Sequence, residues 1–315
     1  MHHTLESIQT IYTQPFMDLI LQAQTALRAH FKPNSMQLST LLNIKMGGCP
    51  ENCGYCSQSV HYSSNIEPYK LLTKAEIVSA AQKAKKKGAT RFCLGAAWRG
   101  PTHNQVDILA EIIPEIKKLG LETCITLGLL KPTQAQKLKA AGLDYYNHNL
   151  NSSENHYKNI VSTHSFNDRL ETIDKINQAG IQLCCGGILG MGENEEERLS
   201  MLYSLSKISP SPKSIPINLL TPMPGTPLET QPKINILEVV KLIATTRILF
   251  PSSYVRLSSG RNTLPHSEEA LCYLAGVNSI HFASDYLLTE YSPLPSAESD
   301  LRFLASLGIT PESKN

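Results

Sequence analysis

Residues 90–128 read TRFCLGAAWRGPTHNQVDILAEIIPEIKKLGLETCITLG, and this stretch sets the fold class. A short apolar run (90–97) is followed by an amphipathic run (105–120) that stops at Gly120, and then by a second short apolar run (121–128). Runs of 4–8 apolar residues suit strands and longer amphipathic runs suit helices, so the stretch reads strand–helix–strand. The same alternation extends in both directions. Strands are predicted over 38–46, 143–150, 181–190, 214–220, 252–259 and 277–284, with helices over 74–88, 133–142, 166–180, 195–208, 235–250 and 268–276. Helices repeatedly end at a glycine just before the next strand, the usual left-handed stop.

About eight alternating units imply a parallel sheet, and at this length a (β/α)₈ TIM-type barrel rather than an open doubly wound sheet. No GxGxxG follows the first strand, which argues against a dinucleotide fold. Residues 1–37 are expected to form an N-terminal helical extension, and 38–315 the barrel domain.

With 29 Lys and Arg against 27 Asp and Glu, the formal charge of +2 points to neither nucleic acid nor an acidic membrane surface as partner. The N-terminus lacks a basic segment followed by an apolar one, and no apolar run approaches a membrane span, so a cytoplasmic location is expected. In such a reducing setting the eight cysteines indicate metal or redox chemistry rather than structural disulfides.

Side-chain parity sharpens that expectation, because neighbouring strand residues face opposite sides. Phe92 and Leu94 oppose Arg91 and Cys93; Leu121, Ile125 and Leu127 oppose Glu122, Cys124 and Thr126. Ile181, Leu183 and Cys185 oppose Gln182, Cys184 and Gly186, while Val255 and Leu257 oppose Tyr254, Arg256 and Ser258. The apolar parity should pack on the helices, leaving Cys93, Cys124, Cys184 and Arg256 facing the barrel axis. Barrel interiors are ordinarily filled with branched apolar side chains. A soft donor set there suggests an iron–sulfur centre, and a buried arginine calls for something negative beside it.

Cys49, Cys53 and Cys56 form a C-x₃-C-x₂-C run directly after the first strand, at the end of a barrel where active sites are built. Three thiolates leave a four-iron cluster one open position. With His61 they could instead make a Cys₃His zinc site.

The triplet, with Tyr55 just before its third cysteine, resembles the radical S-adenosylmethionine enzymes. The segments CPENCGYCSQS, TRFCLGAAW, AGLDYYNHNL, SIPINLL, GTPL and SSYVRLSSGR narrow the resemblance to the biotin synthase family, from about Leu38 to Gly308. The resemblance implies that Cys49, Cys53 and Cys56 hold a 4Fe–4S cluster whose open iron takes S-adenosyl-L-methionine. It implies that Cys93, Cys124, Cys184 and Arg256 hold a 2Fe–2S cluster that donates sulfur. Asn149 would bridge S-adenosylmethionine and substrate. Tyr55, Asn151 and Glu193 would face S-adenosylmethionine, and Asn218 the ureido ring of dethiobiotin. Asn151 stands where the family usually has Asp. The implied activity is radical sulfur insertion into dethiobiotin to give biotin, with a flavodoxin- or ferredoxin-type electron donor and a homodimeric assembly. The alternatives are a radical barrel enzyme of another substrate and a non-catalytic iron–sulfur or zinc protein.

Overall fold

The computed structural model describes residues 3–64, 66–284 and 295–313. Two helices, α1 (Leu5–Tyr12) and α2 (Phe16–His30), precede the first strand, β1 (Ser35–Lys45). The chain then runs α3 (Lys74–Lys87), β2 (Arg91–Ala96), α4 (His103–Lys118), β3 (Glu122–Thr126), α5 (Pro132–Ala140) and β4 (Tyr145–Asn147). It continues through α6 (Glu154–Ile160), α7 (Phe166–Gln178), β5 (Gln182–Cys184), β6 (Gly187–Leu189), α8 (Glu195–Ser206) and β7 (Ser214–Leu219). Last come α9 (Ile236–Leu249), β8 (Tyr254–Leu257), α10 (His266–Leu274), β9 (Ser279–His281), α11 (Ala297–Ser306) and β10 (Thr310–Pro311).

The strands pair in parallel in the order β1-β2-β3-β4-β5-β7-β8-β9, and β9 returns to β1 through Gln37↔Ser279 and Ser39↔His281. The sheet is therefore a closed (β/α)₈ barrel with its helices outside. Between barrel and helices lies a continuous apolar shell in which Leu38, Leu94, Ile125, Ile215, Ile217, Val255, Leu257 and Ile280 are fully buried. Each such side chain contributes roughly 1.5–3 kcal/mol relative to exposure. Local signals agree with this layout. Thr73 and Thr102 cap α3 and α4 with capping boxes, and Gly88 closes α3 at φ +106°.

Three details differ from the sequence reading. The strand expected over 181–190 is divided, because Gly186 is held from the side by the β4 loop. Its N–H donates to Asn149 Oδ1 (3.1 Å) and its carbonyl accepts from Asn151 N (3.2 Å). Next, β1 starts at Ser35, ahead of the boundary expected at 38, since Gln37 is already paired with β9. Finally, α6, α11 and β10 were not anticipated; α6 has only seven residues and β10 two, too short for a periodic signal.

Helices α1 and α2 lie against α8 and α9, with Lys241 Nζ 3.9 Å from the centre of the Tyr12 ring. At the opposite end of the chain β10 pairs with the start of β1 (Ser35↔Thr310), and Tyr254 Oη donates to Glu312 Oε1 (2.7 Å). The β10 pairing and the Tyr254–Glu312 bond lie at the end of the barrel from which the strands rise.

Gly186 shows how tightly the strands approach: a Cβ there would lie 1.9 Å from the Pro216 carbonyl oxygen on β7. Gly88, by contrast, has open space around it and only its positive φ to protect. Gly88→Ala should therefore lower stability by about 1 kcal/mol, and Gly186→Ala by about 3 kcal/mol or more. Equal losses in denaturant unfolding of the two variants would remove the close approach as the cause.

Candidate active site

The strand register carries the chemistry. Cys93 on β2 lies beside Cys124 on β3, Asn147 on β4 beside Cys184 on β5, and Arg256 on β8 beside Ser279 on β9. Residues in register share a face, so all of these side chains enter the barrel. Cys93, Cys124, Tyr145 and Cys184 form a small buried cluster of their own, separate from the main apolar core. Cys185 packs in the outer shell instead.

Of the three inward thiols, Cys124 is hydrogen-bonded to both Cys93 and Cys184. Cys184 is held well below the usual thiol range, first by a hydrogen bond from Cys124 and then, against its burial, by the Arg256 and Arg91 charges. Cys93 is lowered for the same reasons, whereas Cys124 is raised because it keeps the shared proton. Arg256 donates from Nε to Ser279 Oγ (3.0 Å) and reaches Gln37 Oε1 at 3.5 Å. One layer lower, the fully buried Arg91 pairs with Glu122 (2.9 Å) and stacks 3.7 Å over the Tyr145 ring. Two guanidinium groups thus serve three thiols that have left water. This anionic, soft set fits an iron–sulfur centre, whose normal protein donor is thiolate.

Above these thiols the barrel opens into a cavity of about 210 Å³. Its wall includes Cys49, Cys53 and Cys56 as well as Cys93, Cys124 and Arg256, so both donor sets meet one space. The loop of the first set is anchored at both ends. Cys49 N donates to Gln58 O (2.9 Å), Val60 N returns a bond to Cys49 O (2.9 Å), and Gly54 N donates to Ile160 O (2.8 Å). Burial pushes the Cys53 thiol up to about 11, and raises Cys49 and Cys56 as well. A bare buried thiol resists ionisation, and a bound metal supplies the positive charge that it lacks. His61 is exposed, with Nε2 3.0 Å from Pro50 O, rather than directed at the cysteines. Among the described residues no three His, Cys, Asp or Glu side chains close on one metal ion.

Polar residues line the space between the donor sets. Asn149 and Asn218 both reach it, each with its amide oriented by backbone: Asn149 Oδ1 accepts from Gly186 N, and Asn218 donates to Gly187 O (2.8 Å) while accepting from Ser259 N (3.2 Å). Asn151 adopts φ +71°, which Asn tolerates better than most residues, and its Nδ2 donates to Tyr55 Oη (2.7 Å). Glu193 differs from the expectation of an S-adenosylmethionine contact. It is not on the cavity wall; its carboxylate accepts from Gly190 N (2.8 Å) and Met191 N (2.7 Å) and pairs with Arg198 (3.4 Å), so it braces the glycine-rich turn from behind.

Several wall residues carried no sequence signal. Asn147 donates to Cys184 Sγ (3.3 Å), and Glu51, His164, Arg169 and His281 also line the cavity. Glu51 sits between two of the cysteines and could have been suspected from that position. Arg169 lies on the inner side of a helix, and nothing in the periodicity marks it.

The chain matches the Radical SAM superfamily over residues 43–203 and the Biotin and Thiamin Synthesis associated domain over 216–310. It is 48% identical over 310 residues to the biotin synthase of Brucella anthropi, covering 98% of this chain and 91% of that one. The biotin synthase of Acinetobacter baumannii is 48% identical over 309 residues, with 98% and 93% covered. The chain belongs to the biotin synthase family. Among solved structures, methylornithine synthase superposes with a TM-score of 0.83 at 20% identity, covering 98% and 94% of the two chains. The FeFe-hydrogenase maturase of Carboxydothermus hydrogenoformans gives 0.84 at 20% identity, with 98% and 76% covered. At that identity both describe the family's fold alone.

One titration follows from the loop's anchoring. Burial would raise the Glu51 carboxyl, but hydrogen bonds from His164 and Thr163, with the charge of Arg99, hold it below its ordinary value near 4.5. Because the folded value is depressed, the stabilisation is full above the ordinary value and is lost as the pH falls through the lower, folded one. Glu51→Gln should therefore melt below the parent near neutrality, with the gap closing as the pH drops below about 4. Melting curves of the cluster-free chain by circular dichroism check this; a gap independent of pH would contradict it.

Proposed function

We propose that this protein is a biotin synthase in activity as well as in family, inserting sulfur into dethiobiotin to form biotin. One observation carries the reading: two separate thiol sets, one in the loop after β1 and one inside the barrel, open onto a single cavity. When bound, S-adenosylmethionine with a 4Fe–4S cluster supplies the 5′-deoxyadenosyl radical that breaks unactivated C–H bonds, and a 2Fe–2S cluster supplies the sulfur.

The chain's own residues hold, orient and enclose. Cys49, Cys53 and Cys56 would ligate the upper cluster and leave one position for the co-substrate. Cys93, Cys124, Cys184 and Arg256 would ligate the lower one. Asn149, Asn151 and Tyr55 would orient S-adenosylmethionine, and Asn218 the ureido ring of the substrate. The Asn149 and Asn218 amides are fixed by backbone partners and the Asn151 amide by the Tyr55 hydroxyl, the preorganisation that a short-lived reactive species requires. With Asn at 151 the wall keeps a hydrogen-bonding group but no negative charge at that point. A flavodoxin- or ferredoxin-type protein as electron donor, a homodimer and a cytoplasmic location complete the proposal. Among the described residues no helix is long and apolar enough to cross a membrane.

Anaerobic reconstitution with iron and sulfide should give both 4Fe–4S and 2Fe–2S signatures and biotin from dethiobiotin. Cys53→Ala should abolish product, and undiminished biotin formation in that variant would sink the assignment. Arg256→Met should keep the 4Fe–4S signal and reductive cleavage of S-adenosylmethionine while altering the 2Fe–2S spectrum. Loss of the 4Fe–4S signal in Arg256→Met would contradict the separation of the two sets.

A further inference from the structure

Arg169 on α7 lines the cavity close to Cys53, yet among the described residues no carboxylate pairs with it. Its donors all meet neutral groups. Nη1 donates to Asn149 O (3.0 Å), Nε to Tyr157 Oη, and Nη2 lies 3.1 Å from His164 Nε2. A half-buried guanidinium facing a cavity without a counter-ion is suited to an anionic ligand.

Behind it the network continues. His164 Nδ1 is 2.6 Å from Glu51 Oε2, and Tyr157 Oη is 2.7 Å from His164 Nε2. A carboxylate only accepts, so the proton on this edge belongs to Nδ1, leaving Nε2 to accept from Tyr157 and Arg169. Tyr157 in turn donates to His164 and accepts from Arg169, and every bond in the relay is then consistent with a single tautomer. Glu51 is only 6% exposed and lies between Cys49 and Cys53. Its other neighbours are Thr163, whose hydroxyl donates to Oε2, and Arg99, which pairs with Oε1 at 3.4 Å. The path from the cysteine loop to the guanidinium is therefore short and wholly within the protein: Glu51, His164, Arg169.

We propose that Glu51, acting through His164, is a positioning residue that aims Arg169 at the carboxylate of S-adenosylmethionine, so that the cluster loop and the co-substrate wall are set by one hydrogen-bonded unit. The proposal rests on the reading that S-adenosylmethionine occupies the upper part of the cavity. The relay has the form of a ligand oriented by a buried partner: the carboxylate fixes the imidazole's tautomer and ring plane, and the imidazole fixes one edge of the fork. No bond is made or broken in it.

The test is equilibrium binding to the anaerobically reconstituted holoenzyme, using S-adenosylmethionine and its decarboxylated analogue. Glu51→Gln keeps the shape and removes the charge. His164→Asn keeps a donor toward Glu51 and removes the acceptor facing Arg169. Both variants should bind S-adenosylmethionine about tenfold more weakly, by analogy with the loss of an orienting partner elsewhere, and bind the decarboxylated analogue within about twofold of the parent. The 4Fe–4S absorbance should be unchanged in both. Equal weakening of the two ligands, or loss of the 4Fe–4S absorbance, would mean that Glu51 only stitches the loop, and would overturn the proposal; so would unaltered binding of both ligands. Arg169→Met separates the two levels of inference. If it leaves S-adenosylmethionine affinity unchanged, the location of the co-substrate is wrong. If it weakens S-adenosylmethionine while Glu51→Gln does not, the site stands and the positioning role fails.

Discussion

The structure depends on a polar barrel axis. In place of branched apolar side chains, the interior positions of β2, β3, β5 and β8 carry Arg91, Cys93, Glu122, Cys124, Cys184 and Arg256, and β9 adds Ser279 and His281. Such a core cannot be stabilised by hydrophobic transfer, so each charge needs a stated partner. Arg91 has Glu122 and the Tyr145 face, and Arg256 has Ser279, Gln37 and the thiols around it. The stability lost along the axis is compensated by the outer shell, where inward-facing helix residues meet the opposite parity of every strand. Alternation along a strand is what allows one element to serve both requirements at once.

That constraint also sets the height of the site. Because the axis is blocked below by Arg91, Glu122, Tyr145 and Tyr254, the free space lies toward the ends of the strands, where the loop after β1 delivers Cys49, Cys53 and Cys56. The loop is long, and it would be poorly ordered were it held only by its own backbone. It is instead bonded to the segment after α6 through Glu51, Asn52 and Gly54, with Asn52 bonded to Ser162 and Thr163. The end of the seven-residue helix α6 and the turn after it, residues 160–164, are thus the brace for the cysteine triplet.

The barrel was legible because it rests on repetition: period-two runs, amphipathic helices and glycine stops recur along the chain, and each supports the others. The four inward residues were legible for the same reason, since parity in a strand is fixed by geometry. What escaped was set by single contacts. The division of the 181–190 strand comes from Asn149 and Asn151 bonding to Gly186 and Ile188, a contact between segments more than thirty residues apart. Glu193 was expected to face S-adenosylmethionine from the family resemblance alone, whereas its carboxylate accepts from the N–H groups of Gly190 and Met191. Glu51 is more than a hundred residues from His164 and Arg169, and no periodicity could bring them together.

The same distinction explains where this site is rigid. A radical intermediate tolerates neither water nor misplacement, so the groups around it should have their hydrogen-bonding capacity satisfied from behind and leave only selected atoms toward the space. Asn149 meets this description through Gly186 and Asn147, Asn218 through Gly187 and Ser259, and Asn151 through Tyr55. Three asparagines, two on the loop after β4 and one on β7, are each oriented by backbone or by a buried phenol rather than by solvent. An amide can donate and accept at once, so one face can be tied to the scaffold while the other addresses a ligand. A carboxylate in the same place could only accept, and once buried would demand a counter-charge. At these three positions the cavity wall accordingly uses uncharged amides; the wall carboxylate Glu51 is answered by Arg99 and His164, and Arg169 and Arg256 are left to answer the negative charge that thiolates and a carboxylate-bearing co-substrate bring with them.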